Sequence, residues 1–114
     1  MRRYTTPTQV LTCKGVDLTG CNVWVTYSQG LQQGAVTPAN NVCTVRADAL
    51  TVESDGTDTT IEVPLTQLQT ARFATGRANV QVNWMDSDNV RGATNIGHFT
   101  VDQNLLEMEV SYAD

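Results

Sequence analysis

The sequence has few basic residues, few aromatic residues and no long apolar run. Its 114 residues include 7 Lys and Arg against 12 Asp and Glu, which gives a formal net charge of -5. Lys14 is the single lysine, and with Arg2 and Arg3 it forms no sustained basic patch. Because an acidic surface repels phosphate backbones, this charge argues against nucleic acid as a direct partner.

Signals for export and membrane insertion are also missing. The opening stretch, MRRYTTPTQV, has two arginines but no apolar region behind them, so it does not resemble a secretory signal peptide. The sequence contains no N-x-[ST] glycosylation site and no apolar run long enough to span a bilayer. We therefore expect a chain made in a reducing cytoplasm, without a membrane partner.

The cysteines are odd in number, whereas a disulfide framework normally uses an even number. We expect Cys13, Cys21 and Cys43 to be free thiols, the alternative being one disulfide and one spare thiol. Together with His98, the only histidine, they lack the C-x2-C spacing of a structural zinc site. A Cys–His nucleophilic pair is formally possible, but an alternating stretch around His98 favours a partly exposed strand residue.

The residues that are abundant, Thr and Val, favour pleated strands over helices. Period-two alternation recurs along the chain, separated by turn signals, and predicts a mainly antiparallel all-β protein. In CNVWVTYSQG, Val23, Val25 and Tyr27 share one face while Trp24 and Thr26 share the other. The stretch GLQQGAVTPANN, residues 30–41, predicts a long loop or a hairpin tip. The following VCTVRA is strand-like.

The clearest hairpin signal is Asp-Gly at Asp55–Gly56, between two alternating runs. Such a pair favours a type I′ turn, so DALTVES and TTIEVPL are expected to pair. In the second strand Ile61, Val63 and Leu65 are expected to face the core. A predicted common core is formed by Val80, Val82, Trp84, Ile61, Val63, Val23 and Val25.

One short helix is predicted directly after this hairpin, near residues 66–75. Thr66 has the position of an N-cap, and Gln69 stands at capping-box spacing. Gly76 is predicted to end the helix in the left-handed conformation. Such a helix is too short to stand alone, so it should pack as a crossover through Leu68, Ala71 and Phe73.

These elements together predict an immunoglobulin-like antiparallel β-sandwich with one short crossover helix. The expected organisation is an extended N-terminal arm at residues 1–8, a β-sandwich domain at 9–104, and a C-terminal tail or edge strand at 105–114. The arm has little apolar surface with which to pack on its own domain. We therefore expect it to reach onto a neighbouring subunit.

No residues with a catalytic, cofactor-binding or metal-binding pattern are recognised, and the chain is not expected to be an enzyme. Asp86–Asn89 begins like a calcium loop, but Val90, Arg91 and Gly97 stand where an EF-hand needs an acceptor, Gly and Glu. Weak calcium binding by this loop stays open. Glu107 and Glu109 are interpreted as a solvated face rather than a carboxylate pair across a cleft.

Two stretches, Asp55–Thr94 (DGTDTTIEVPLTQLQTARFATGRANVQVNWMDSDNVRGAT) and Met1–Gly30, resemble small β-sandwich virion proteins of tailed bacteriophages of gut bacteria. The similarity lies in the layout of Asp-Gly hairpin, short helix, glycine and VQVNW, which occurs in some baseplate proteins. The chain departs from this layout at Leu31–Ala49, where it is longer and irregular. The resemblance transfers no functional residues.

The resemblance implies a structural component of the virion, at the neck, the baseplate or the capsid surface. Such a protein acts through repeated contacts with copies of itself and with other virion proteins, so a homo-oligomer is expected. The alternative function is a free binding module for a carbohydrate or a host surface protein. That alternative needs Trp24 or Trp84 to be exposed for stacking, whereas their alternating strands favour core packing.

Overall fold

The computed structural model of the chain describes residues 1–30 and 41–114. It contains 47% strand, almost no helix and two antiparallel sheets, which confirms the predicted all-β sandwich. The strands are β1 (Thr8–Cys13), β2 (Asn22–Ser28), β3 (Asn41–Arg46), β4 (Thr51–Ser54), β5 (Thr59–Pro64), β6 (Gly76–Met85), β7 (Arg91–Ala93) and β8 (Gly97–Val101). A helix, α1 (Gln67–Ala71), separates β5 from β6, and a 3-10 turn (Ala47–Ala49) follows β3.

The described strands form a three-stranded sheet and a five-stranded sheet. The first has the order β1-β5-β4. The second has the order β3-β2-β6, with β7 and β8 both pairing with β6 at different positions. The immunoglobulin-like assignment is not confirmed, because that fold puts its second and third strands in different sheets. Here β2 and β3 are neighbours in one sheet.

The core fills the space between the two sheets. It contains the inward-facing residues Val23, Val25 and Tyr27 of β2, together with Ile61 and Val63 of β5. Three rings, Tyr27, Phe73 and Phe99, contact one another edge to face, with centroids 5.7–5.9 Å apart. Five residues of the predicted core are buried as expected: Val23, Val25, Ile61, Val63 and Val82. Val80 and Trp84 are only partly buried.

The predicted hairpin is formed by β4 and β5, but its turn is not of type I′. A type I′ turn needs a positive φ at both central residues, whereas only Gly56 has one, at +92°. Residues 55–58 instead make a longer connection, closed by a hydrogen bond from Asp55 N to Asp58 O at 3.1 Å. The Asp55 carboxylate accepts hydrogen bonds from the amides of Thr57 and Asp58, which stabilises this wider turn.

The helix α1 begins as predicted and ends earlier than predicted. Thr66 is the N-cap, and the capping box with Gln69 is complete. The helix stops at Ala71 with Arg72 as a right-handed C-cap, so the prediction for Gly76 is wrong. Gly76 begins β6 with φ +127°. Packing also differs: Leu68 is exposed, and the buried residues of this region are Thr70 and Phe73.

The N-terminal arm lies on its own domain, which corrects the expectation that it could not pack there. The amino group of Met1 donates to Thr100 O, and Arg3 N donates to Asp102 O. The buried Thr70 hydroxyl donates to Thr5 O at 2.9 Å and accepts from Thr5 N at 3.1 Å. The arm is not fully extended either, because Tyr4 has a left-handed φ of 56°.

The irregular region between β2 and β3 is described only in part. Residues 31–40, on which the prediction of a loop or hairpin tip falls, lie outside the described residues. The remaining stretch forms the predicted strand β3 and then the 3-10 turn, which adds helical geometry outside residues 66–75.

Candidate interaction surfaces

The last ten residues, which we call the C-terminal segment (Leu105–Asp114), carry apolar side chains that face solvent. Leu105 and Tyr112 are fully exposed, and Leu106 and Met108 are 53% and 54% exposed. Val110 is exposed as well. Monomeric soluble proteins scatter single apolar residues over their surface, whereas a concentration of them marks an interaction site.

The C-terminal segment is fixed to its own domain mainly through polar contacts. Gln67 in α1 donates to Val110 O at 2.7 Å and accepts from Val110 N at 2.9 Å. Arg3 and Glu107 form an ion pair of 3.3 Å. The Gln67 hydrogen bonds are exposed to solvent, and the ion pair is partly buried. The segment is therefore held in place without burying its apolar side chains.

A second surface is the outer face of the five-stranded sheet, around Trp24. The cross-strand neighbours of Trp24 are Arg46 and Asn83. An open depression of about 470 Å³ is lined by Trp24, Thr26, Thr44, Asn83, Met85 and Arg91. Within it Arg91 donates to Asn83 Oδ1 at 3.1 Å, and the hydroxyls of Thr26 and Thr44 are 3.1 Å apart. One half-buried indole beside amide, hydroxyl and guanidinium groups can stack on and hydrogen-bond to a polar ligand.

The two tryptophans have different environments. Trp84 packs against the core and lies over Gly92 of β7, its cross-strand partner. A Cβ at position 92 would approach the indole ring to 2.5 Å. Trp24 is half-buried on the opposite face of the sheet and is not among the residues packed on the core. The expectation of core packing therefore holds for Trp84 and is wrong for Trp24.

The sequence candidates for catalysis are not brought together. His98 lies on the outer face of β8, where its Nδ1 is 2.7 Å from Asn79 Oδ1. Cys13 and Cys43 belong to the core, and Cys21 is half-buried. Burial raises the pKa of the Cys13 and Cys43 thiols, which keeps them protonated and weakly nucleophilic at neutral pH. All three cysteines are free thiols.

The acidic turns use their carboxylates to hold backbone. In the Asp86–Asn89 loop, Asp86 accepts hydrogen bonds from the amides of Asp88 and Val90. Near the β4–β5 hairpin, Asp17 accepts from Thr19 and from the Ser54 hydroxyl at 2.7 Å. These hydrogen bonds lower the pKa of Asp17. Within residues 1–30 and 41–114, no group of three or more His, Cys, Asp and Glu side chains has the arrangement of a metal site.

No protein-family model matches the chain, and no significant match is found among curated proteins. No helix in the described part of the chain is long and apolar enough to cross a membrane.

The sequence indicated both surfaces in part: Trp24 was named as a possible stacking residue but expected in the core, and the C-terminal segment was predicted as a tail or edge strand. Trp24 shares its strand face with Thr26, and the polar neighbours that make this face a surface come from β3, β6 and β7. Which residues surround Trp24 is determined by the register between neighbouring strands, so the sequence of β2 alone does not reveal it. For the C-terminal segment, the alternation of Leu106, Met108, Val110 and Tyr112 is the sequence signal for the second of its two predicted forms, the edge strand.

Proposed function

We propose that this protein is a structural subunit that acts by repeated protein–protein contacts, and that its site of action is the virion of a tailed bacteriophage. One observation carries the proposal: the C-terminal segment holds five exposed apolar side chains and attaches to its domain by polar contacts. A surface of this kind gains stability by being covered. The phage assignment is supported by the resemblance at Met1–Gly30 and Asp55–Thr94.

The assembly is tested by comparing two identical substitutions at exposed valines. Val110→Glu places a charge in the C-terminal segment, and Val90→Glu places the same charge on the β6–β7 loop. Mass in solution is measured by sedimentation over a range of concentrations. We expect wild type and Val90→Glu to form the same oligomer, and Val110→Glu to remain monomeric.

A monomeric wild-type protein at every concentration would contradict self-assembly, and an unchanged oligomer in Val110→Glu would contradict the role of the segment. The virion assignment has its own test. The chain should be present at a fixed stoichiometry in purified particles of the phage that encodes it, as measured by quantitative mass spectrometry. Its absence from washed particles would contradict this part of the proposal.

A second candidate function, a carbohydrate-binding module, is favoured by the depression around Trp24. Its indole stands next to hydrogen-bonding groups of Asn83 and Arg91, which suits a sugar ring. Titration of oligosaccharides is followed by Trp24 fluorescence in a Trp84→Phe background. A saturable change that disappears in a variant with Asn83→Ala supports this function, and no change across the oligosaccharides tested contradicts it.

A further inference from the structure

The C-terminal segment has the sequence of a β-strand but does not form one in its own chain. Leu106, Met108, Val110 and Tyr112 alternate with Glu107, Glu109 and Ser111, which is period two with one apolar face. Residues 103–114 nevertheless belong to none of the described strands. A one-sided strand sequence of this kind becomes stable when its backbone pairs with a sheet edge and its apolar face is covered.

The three-stranded sheet offers such an edge at β1. Leu65 N donates to Pro7 O at 2.9 Å, so Pro7 and Leu65 form a hydrogen-bonded pair. This pair determines which residues of β1 are hydrogen-bonded to β5. Because hydrogen-bonded and non-hydrogen-bonded pairs alternate in an antiparallel ladder, the backbone N–H and C=O groups of Thr8, Val10 and Thr12 point away from β5. The partner of Thr8 is Pro64, which has no N–H, as expected for a non-hydrogen-bonded pair. Among the described residues, no other strand pairs with β1.

Next to this edge lies a groove that suits an apolar strand face. Its volume is about 270 Å³, and it runs between Val10–Cys13 of β1 and Val80–Val82 of β6. Thr94, Asn95 and Gly97, in and beside the β7–β8 connection, complete the lining. A strand added to β1 would therefore extend the three-stranded sheet over this groove and place every second side chain in it.

Charge distinguishes β1 from β4, the other edge of the same sheet. β1 contains no acidic residue and is followed by Lys14, which by strand alternation lies on the outer face with Val10. β4 contains Glu53, whereas Glu62 of β5 pairs with a residue of both edge strands and does not distinguish them. Because the outward residues of the C-terminal segment include Glu107 and Glu109, pairing is favoured at β1 and opposed at β4.

We propose that the C-terminal segment of one copy adds as a strand to the free edge of β1 in a second copy, with Leu106, Met108, Val110 and Tyr112 in the groove. This proposal rests on the proposed self-assembly and names its contact. The lengths are similar, because Leu106–Tyr112 has seven residues and β1 has six. Each copy has one donor segment and one acceptor edge, so the contact repeats from subunit to subunit.

A matched pair of proline substitutions tests the acceptor edge. Val10→Pro removes a backbone N–H that points away from β5, and therefore leaves the β1–β5 ladder intact. Val52→Pro does the same on β4, because the alternation that places Val10 outward also places Val52 outward. Both valines are exposed. Both variants should keep the circular dichroism of wild type. We expect Val10→Pro to be monomeric and Val52→Pro to assemble like wild type.

Mixing two assembly-defective variants tests donor and acceptor together. Val10→Pro retains the donor segment, whereas Val110→Glu retains the acceptor edge. Each alone should be monomeric at a concentration where wild type assembles. Their equimolar mixture should form a 1:1 dimer and nothing larger, because the dimer contains one working donor–acceptor pair.

The outcomes separate this proposal from the proposed function. If Val10→Pro assembles like wild type while Val110→Glu does not, strand addition at β1 is wrong and self-assembly through the segment stands. If Val52→Pro is the defective variant, the acceptor is β4. Amide hydrogen exchange tests the proposal on the wild-type protein. The Val10 and Thr12 amides should exchange at least tenfold more slowly at concentrations where the protein assembles than at concentrations where it is monomeric. Unchanged exchange there would also overturn the proposal.

Discussion

The contact between Trp84 and Gly92 allows one substitution to be rescued by another. Gly92 lies on β7 opposite Trp84 on β6, and the indole occupies the space where a side chain at position 92 would lie. An alanine Cβ there would be 2.5 Å from Cε2 and Cζ2 and 2.7 Å from Nε1 of Trp84. Carbon atoms make optimal contact at about 3.5–4.0 Å, so in Gly92→Ala the ring or strand must move by about 1 Å.

The expected energies follow from this geometry. Forcing a ring out of a packed position costs about 1–3 kcal/mol, so Gly92→Ala should lower the free energy of unfolding by that amount. Trp84→Ala should cost about 3 kcal/mol, the lower limit for a buried Trp, because Trp84 is only half-buried. With the indole removed, an alanine at position 92 has no clash and is favoured over Gly in a strand by about 0.5–1 kcal/mol. The double variant should therefore be more stable than Trp84→Ala alone.

Urea unfolding followed by far-ultraviolet circular dichroism measures the four proteins without using tryptophan fluorescence. The double-variant cycle should give a coupling of about 1.5–4 kcal/mol, in the direction that makes the combined loss smaller than the sum. In thermal melts, each kcal/mol corresponds to about 4 °C for a domain of this size. If the two losses add to within about 0.5 kcal/mol, the indole does not lie over Gly92 and the packing argument fails.

Three further predictions concern the arm, an acidic turn and the thiols. Thr70→Val leaves the amide and carbonyl of Thr5 without their partner and should lower the free energy of unfolding by about 2–4 kcal/mol; an unchanged urea midpoint would show that the arm is not fixed there. Asp17 has a lowered pKa in the folded protein, so its stabilisation is present above about pH 4 and is lost as the pH falls through the folded value. Asp17→Asn should therefore lower the melting temperature at pH 7 and converge with wild type in acid, and a constant difference would contradict this. Cys13 and Cys43 should react with iodoacetamide far more slowly than Cys21 in the native protein, because both are buried. After denaturation without reduction, mass spectrometry should find three labels, and a single label would indicate a disulfide.

Features of the fold that depend on neighbours in sequence were predictable. The capping box at Thr66 and Gln69 involves atoms within one turn, so residue type and spacing are sufficient to identify it. The β4–β5 hairpin was predicted for the same reason. Its turn type was not, because Asp55 uses its carboxylate to hold the amides of Thr57 and Asp58, which stabilises a wider connection than the dipeptide rule assumes.

Features that depend on distant partners were not predictable. The helical face at Leu68 was expected to be buried, but Leu68 is exposed, and α1 is instead anchored through Thr70, which bonds to Thr5 of the N-terminal arm from 65 positions away in sequence. Trp84 lies where β6 pairs with the three-residue strand β7, and it is only half-buried. Neither arrangement leaves a local pattern, since each is set by which strands become neighbours.

The C-terminal segment shows how a pattern can predict structure that a single chain does not form. Its period-two alternation is as regular as that of β5, yet β5 lies between two strands and the segment has no strand partner among the described residues. A strand sequence needs a backbone partner as well as a covered apolar face, and within one chain the free edge at β1 is not paired with the segment. Supplying the segment from another copy satisfies both requirements with surfaces that each chain already has. The conflict between local pattern and structure at Leu106–Tyr112 is therefore itself the physical reason to expect association.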